Sequence, residues 1–342
     1  MAAGAIAAAR GCLLGLVLGD AIGATAGLVP DAGSLAATSG GQLACFTVDG
    51  LIRADVRSAL QGPFDPPHAV WRAYRRWAAL QGVIDPDGTG EPFLDGWLAE
   101  VPVLAQVRGP APATIAALRG GPGGAPDTAP PRVTHGPRAV IRTLPVGMYA
   151  RAGQAARLAA DIAALTHRDD ALVAAGYAAT AIQLLSEDAT IGHATSVAEE
   201  RAVRLGLGPV PAEFRGAADE AAADPRAAVR LAEWAGAGTA VGAVAGALYV
   251  VASFPERDSI RDAILFAAAA GDGGHVATIT GALLGARHGP DPLPVDWLSR
   301  LELVWVADLL SRDLVRQMSQ SPAGTDGSTP TDPYWWDRYP GW

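Results

Sequence analysis

Lysine is absent from this 342-residue sequence; all 26 basic side chains are arginine. With the excess of alanine and glycine, the bias reads as GC-rich coding, and no function is read from it. Charge is scarce: 18% of residues against roughly 25% in ordinary soluble domains. No long basic run occurs and the net charge is −9, which excludes the clustered cations that nucleic-acid phosphates demand. Only two cysteines, Cys12 and Cys45, are present. They cannot build a disulfide framework at this length, and their spacing matches no zinc pattern. Both sit in apolar, helix-like stretches and are expected to be buried free thiols in a reducing cytoplasm. No run of alternating β-branched residues supports a sheet.

Two apolar stretches need separate reading. "ARGCLLGLVLGDAIGATAG" has one arginine and a short apolar run, but Asp20 and the glycines interrupt it too early for a signal peptide. Residues 235 to 254, "AGAGTAVGAVAGALYVVASF", are uncharged over the length of a membrane span. They are rich in glycine and alanine and lack basic flanks, so a buried central helix is expected and no membrane contact.

Half of the residues are hydrophobic, enough for a deep core. Apolar positions recur at three and four, as in Leu158, Ile162, Leu165 and in Leu303, Val306, Ala307, Leu310, Leu314. Asp170 and Asp296 stand as N-caps before "ALVAAGYAATAIQLL" and "WLSRLELVWVADLLSRDLVRQM". From Gln42 onward another helix shows Leu43, Phe46 and Gly50 on one face. Turns are expected at residues 62–68 and 85–92, and a surface loop at 119–133 as a possible lid. The fold class is all-α, a single-domain helical bundle over residues 1–318. Residues 319–342 form a linker and an aromatic tail whose last eight residues hold three of the nine tryptophans. That much apolar surface is costly in water, so the tail is expected to dock on the body or on a partner. The arginines of "WRAYRRWAAL" belong to one amphipathic helix whose stems lie along apolar surface.

Four stretches occur in one order: "GCLLGLVLGDAIGA" (11–24), "TSGGQLACFTVDGLIRA" (38–54), "HGPRAVIRTLPVGMY" (135–149) with "ALTHRDDALVAAGYAA" (164–179), and "AAGDGGHVATITGALLGARHG" (269–289). Together they resemble the ADP-ribosylglycohydrolases, in the places of that family's G-D-A-[LI]-G, T-D-D-T-Q, A-x-x-T-H and G-D-x-D-[ST] signatures. The resemblance implies an all-α fold that hydrolyses the bond between ADP-ribose and an acceptor. It also implies two Mg²⁺ ions between the second and last signatures, and a glutamate for acid/base work. Hard cations of that kind want oxygen ligands, carboxylates above all.

This sequence departs from the pattern at the acids. The first threonine matches Thr38, but the two aspartates fall on Ser39 and Gly40 and the second threonine on Gly41. In the last signature Asp272 is kept, the second aspartate falls on Gly274, and the hydroxyl residue on His275. The glutamate position falls near Gly27, and Pro137 and Arg138 stand where the family has small residues. Thr38 and Asp272 are the remnant metal positions, so no metal and no cofactor is expected. The implied reading is a catalytically inactive module that binds an ADP-ribose-like ligand in the old cleft or acts through a protein partner. Its cleft would be lined by Thr38, Ser39, Gly40, His135, Arg138, His167 and Gly274. His135 and Arg138 would supply an anion contact, with arginine suited to phosphate by its planar fork. The alternative is a metal-independent hydrolase with Asp272 and His275 as an acid/base pair, three apart at a helix start. Against it stands a capping aspartate beside a polar residue in a disused pocket.

Overall fold

Threonine and aspartate side chains start the long helices, as their hydrogen-bonding habits dictate. In the computed structural model, residues 2–84, 94–119, 135–150, 153–272, 274–325 and 327–341 are described, and among them no β-strand occurs. The first helix, α1, spans Ala2–Ala24. Helix α2 (Ser39–Gln61) begins at Thr38, whose hydroxyl accepts from the Gly40 N–H. Helix α3 (Pro66–Leu80) begins at Asp65, whose carboxylate accepts from His68 N–H. Short helices α4 (Pro112–Leu118), α5 (Arg138–Thr143) and α6 (Val146–Tyr149) lead to α7 (Ala155–Ala164) and α8 (Asp170–Leu185). Next come α9 (Ile191–Arg204), α10 (Ala212–Ala223), α11 (Ala228–Trp234) and α12 (Ala240–Ser253). The described chain closes with α13 (Ile260–Ala268), α14 (His275–His288), α15 (Val295–Leu298), α16 (Val304–Gln320) and α17 (Trp335–Arg338).

The centre of the molecule is the pair α1 and α14, packed antiparallel without side chains between them. Gly11, Gly15, Gly19 and Gly23 recur every fourth residue and form one stripe of α1. A Cβ on Gly11 would lie 2.0 Å from Gly285 O, one on Gly15 2.1 Å from Gly281 O, and one on Gly19 2.2 Å from Ala277 O. At the end of this ladder Gly274 precedes α14 in the left-handed region (φ 87°), its α-carbon against Gly23. Only glycine satisfies both the backbone angle and the approach. The remaining faces of α1 are buried by α2, α13 and α16, and those of α14 by α8, α12 and α13.

Several sequence expectations need correction at helix ends. Asp169, not Asp170, occupies the cap position of α8, and its side chain makes no capping bond. The helix expected from Trp297 to Met318 is two: α15 ends at Leu298 and α16 starts at Val304. Between them Leu35 pairs with the chain, donating to Arg300 O (2.8 Å) and accepting from Glu302 N (3.1 Å), so these backbone groups are taken from the helix. The buried central helix is shorter than residues 235–254, because Thr239 caps it and the preceding glycines form a 3₁₀ turn. The turn over 62–68 ends at Pro66, where α3 starts. The expected turn at 85–92 lies outside the described residues, as does nearly all of the loop at 119–133.

Residues Leu303, Val306, Ala307, Leu310 and Leu314 are all buried, and Cys12 and Cys45 are buried free thiols. One helix, Gly4–Ala24, is long and apolar enough to cross a membrane by length and composition, and 78% of its most apolar window is buried inside the protein. The aromatic tail docks on the body. Trp335 and Tyr339 are fully buried in the same core as the helices. Trp335 Nε1 donates to Gln317 Oε1 (2.8 Å), Tyr339 OH to Asp313 (2.7 Å), and Arg53 donates to Pro340 O (3.3 Å). That last bond joins the tail to a buried ion network in which Asp49 pairs with Arg53 (2.9 Å) and Arg76 (2.8 Å), and Arg53 with Asp95 (2.8 Å).

Candidate functional site

The end of α1 and the starts of α2, α5 and α14 meet at one place, because the glycine ladder sets α1 antiparallel against α14. Asp20, near the end of α1, is 4% exposed and points at the start of α2. Its carboxylate accepts from Thr38 N (2.6 Å), Thr38 Oγ1 (2.8 Å) and Gly41 N (3.1 Å). It therefore serves as a second cap for α2, in the positive end of the helix dipole. Burial pushes its pKa up, while Thr38, Gly41 and the nearby Arg138 cation pull it down. Gly40 and Gly41 leave the room it needs: a Cβ on Gly41 would stand 2.9 Å from its Oδ2. Thr38 is thus spent on structure, its hydroxyl shared between Asp20 and Gly40. Ser39 is fully buried, donates to Pro110 O (3.3 Å) and accepts from Arg138 Nη1 (3.4 Å).

Asp272 is a cap as well. Its two oxygens accept from Gly274 N (3.0 Å) and Val276 N (2.9 Å) at the start of α14. Burial raises its pKa, opposed by His275 and those backbone donors. His275 bonds through Nδ1 to the backbone carbonyl of Asp272 (2.5 Å), while the carboxylate lies 3.8 Å away. The two residues are neighbours, then, but the imidazole is held by the carbonyl and the carboxylate by backbone N–H groups. Among the described residues no group of three or more His, Cys, Asp or Glu side chains is arranged to hold a metal ion.

A cleft of about 370 Å³ opens beside these residues. Pro110, Pro112, Thr114, Arg138, His167 and His275 line it. Three of the residues singled out in the sequence, Arg138, His167 and His275, therefore come together. His135 does not join them; it borders a separate depression with Asp170, Glu213 and Trp234. Thr38, Ser39, Gly40 and Gly274 are not among the lining residues; Ser39 accepts from Arg138, which is. His167 is 2% exposed, and burial, followed by the Arg142 and Arg138 cations, pushes its pKa down to about 3. It is a neutral imidazole at ordinary pH. Arg142, Thr114 and Thr166, which support His167, were not singled out in the sequence. A signal for Arg142 was present: it follows Arg138 by four residues on one short helix.

The comparisons with known proteins follow this geometry. No curated protein matches the chain. A solved structure described as an ADP-ribosylglycohydrolase-related protein complex is similar to it in fold, with a TM-score of 0.61 at 19% identity. The match covers 91% of this chain and 98% of that one. The sequence model of ADP-ribosylglycohydrolase matches residues 1–324, so the chain belongs to the ADP-ribosylglycohydrolase family.

Proposed function

We propose that this chain is a catalytically inactive member of its family that binds a small anionic, ADP-ribose-like ligand in the cleft beside Arg138. One observation carries the reading. The two carboxylates left at the site, Asp20 and Asp272, face helix N-termini with their oxygens engaged by backbone N–H groups, and the Arg138 guanidinium stands near Asp20. Two Mg²⁺ ions do not fit such a donor set, since each wants near-octahedral oxygen and carboxylate charge. Arg138 instead sets a cation near the Asp20 carboxylate and lines the cleft. Its fork suits phosphate oxygens.

The buried free thiols of Cys12 and Cys45 fit a reducing, cytoplasmic setting, and the acidic balance of the chain disfavours nucleic acid as a partner. A second reading, metal-independent hydrolysis, is favoured by one feature: His275 spends Nδ1 on the Asp272 carbonyl, which leaves Nε2 as the ring nitrogen available to an attacking water. Calorimetric titration with ADP-ribose, run with EDTA present, and release of ADP-ribose from modified arginine separate the readings. Binding without turnover is expected. Turnover that EDTA abolishes would overturn the proposal, and EDTA-resistant turnover lost in His275→Ala would replace it with the second reading.

A further inference from the structure

The start of α1 and the end of α16 enclose a depression of about 430 Å³ lined by Ile6, Arg10, Arg312, Arg316, Ser319 and Gln320. The sequence builds it by helical spacing. Ile6 and Arg10 lie four apart on α1, and Arg312, Arg316 and Gln320 follow one another at four on α16. Asp308, four residues before Arg312, reaches both helices: Arg10 Nε lies 2.6 Å from its Oδ1 and Arg312 Nη2 lies 2.9 Å from its Oδ2. Arg316 Nη1 donates to Asp332 (3.0 Å), and its guanidinium carbon stands 4.9 Å from the centre of the buried Trp335 ring. The side chains of Arg10, Arg312 and Arg316 are 30%, 53% and 37% exposed, so solvent and solutes reach all three.

Three cations therefore meet two carboxylates, one of them shared. In a chain of net charge −9 this local excess of cations runs against the whole. A guanidinium keeps its charge in a protein and carries five N–H groups. Each of these pairs takes one nitrogen of a fork and leaves donors for a ligand. The shared carboxylate also fixes Arg10 against Arg312, which cuts the side-chain entropy that binding must overcome. The beginning of one helix and the end of another lie side by side here, so their opposite dipole ends offset and the arginines set the local field. The lining is nonetheless largely apolar, although five of its six residues are polar. Arginine presents methylenes along its stem and charge only at its head. Ile6 adds an aliphatic side chain to that surface.

We infer that this depression is a seat for a phosphate monoester with a compact apolar body. Three guanidiniums match the three terminal oxygens of such a group, where a carboxylate offers two. Ile6 and the arginine stems cover the body. The seat is separate from the cleft: Arg10 and Asp20 are both on α1, about 15 Å apart along its axis. The two sites therefore stand or fall independently.

The test uses the full chain, with phenyl phosphate as the probe. Calorimetry should show saturable binding, and ¹⁵N spectra of the arginine Nε groups should show Arg10, Arg312 and Arg316 shifting together. Arg10→Gln and Arg312→Gln should each weaken phenyl phosphate roughly tenfold. Ile6→Ser should weaken it about threefold and leave inorganic phosphate unchanged, because only the ester has a body to cover. Arg204→Gln, on the exposed side of α9 beside Glu200, should bind as the native chain does. No saturable binding, or Arg312→Gln as tight as native, refutes the seat. An equal loss in Arg204→Gln refutes it too, since that marks unspecific ion attraction. Vesicles containing phosphatidic acid carry the same monoester and identify its source. If they capture the native chain but not Arg312→Gln, the seat holds a lipid headgroup; phenyl phosphate binding without capture assigns it to a soluble ester.

Discussion

Replacing Gly281 by alanine tests whether the α1–α14 contact organises the molecule. The new Cβ would lie 2.1 Å from Gly15 O, a backbone atom that has no rotamer to escape into. A carbon and a carbonyl oxygen tolerate about 3.3 Å. The helices must therefore part by about 1.2 Å, the difference between ~3.3 Å and 2.1 Å. Ordinary overpacking costs about 1–3 kcal/mol when side chains can adjust. Here the obstruction is backbone on both sides, so a loss of at least about 3 kcal/mol is expected. Gly4→Ala is the control of opposite sign. No atom lies within 4 Å of its Cβ position, so the better helix propensity of alanine should give a small gain, up to about 1 kcal/mol. Urea denaturation of native chain, Gly281→Ala, Gly15→Ala and the double variant provides the measurement. Gly15 and Gly281 face each other, so the double loss should fall well short of the sum. A Gly281→Ala chain within about 1 kcal/mol of native would refute the close packing.

Two further outcomes follow from groups described above. His167 has its pKa lowered to about 3, so the folded chain refuses a proton that the unfolded chain accepts below about pH 6.5. Stability from this group is full above ~6.5 and is lost as pH falls toward 3, by about 5 kcal/mol in all; the fall between pH 6 and 4 should flatten in His167→Gln, and equal slopes in both chains would remove the basis for a neutral buried imidazole. Trp335→Ala should cost about 3–5 kcal/mol, since it empties a fully buried site and orphans Gln317; a loss under about 1 kcal/mol would mean the tail is not packed in solution.

Helix faces were legible in the sequence because burial leaves a period. The five apolar positions from Leu303 to Leu314 are an example, whereas the helix read from Gln42 onward starts earlier, at Ser39 behind its Thr38 cap. What a single segment does not contain is the surface it meets. The residues 299–303 continue the helical period, yet Leu35, far earlier in the chain, takes the backbone groups of Arg300 and Glu302. The glycines of α1 stood at a visible spacing of four, but their use appears only with α14 against them. In the site, Asp272 and His275 are adjacent as their spacing implied, while His135 faces elsewhere because Ala240 N holds its carbonyl at 2.6 Å on the α12 side. Arg142 was missed because an arginine in "RAVIRT" reads as surface, and only the fold supplies the hydroxyls and carbonyls that let it lie inside.

The α1–α14 ladder also bears on synthesis. Leaving the ribosome long before α14, α1 exposes a bare backbone groove and cannot acquire its partner until some 250 further residues have followed, from Ala24 to His275. Contacts so distant in sequence delay closure and leave apolar surface open meanwhile. Nascent chains of this protein should lean on chaperones until α14 is released, and a codon-level pause before α14 should prolong that dependence.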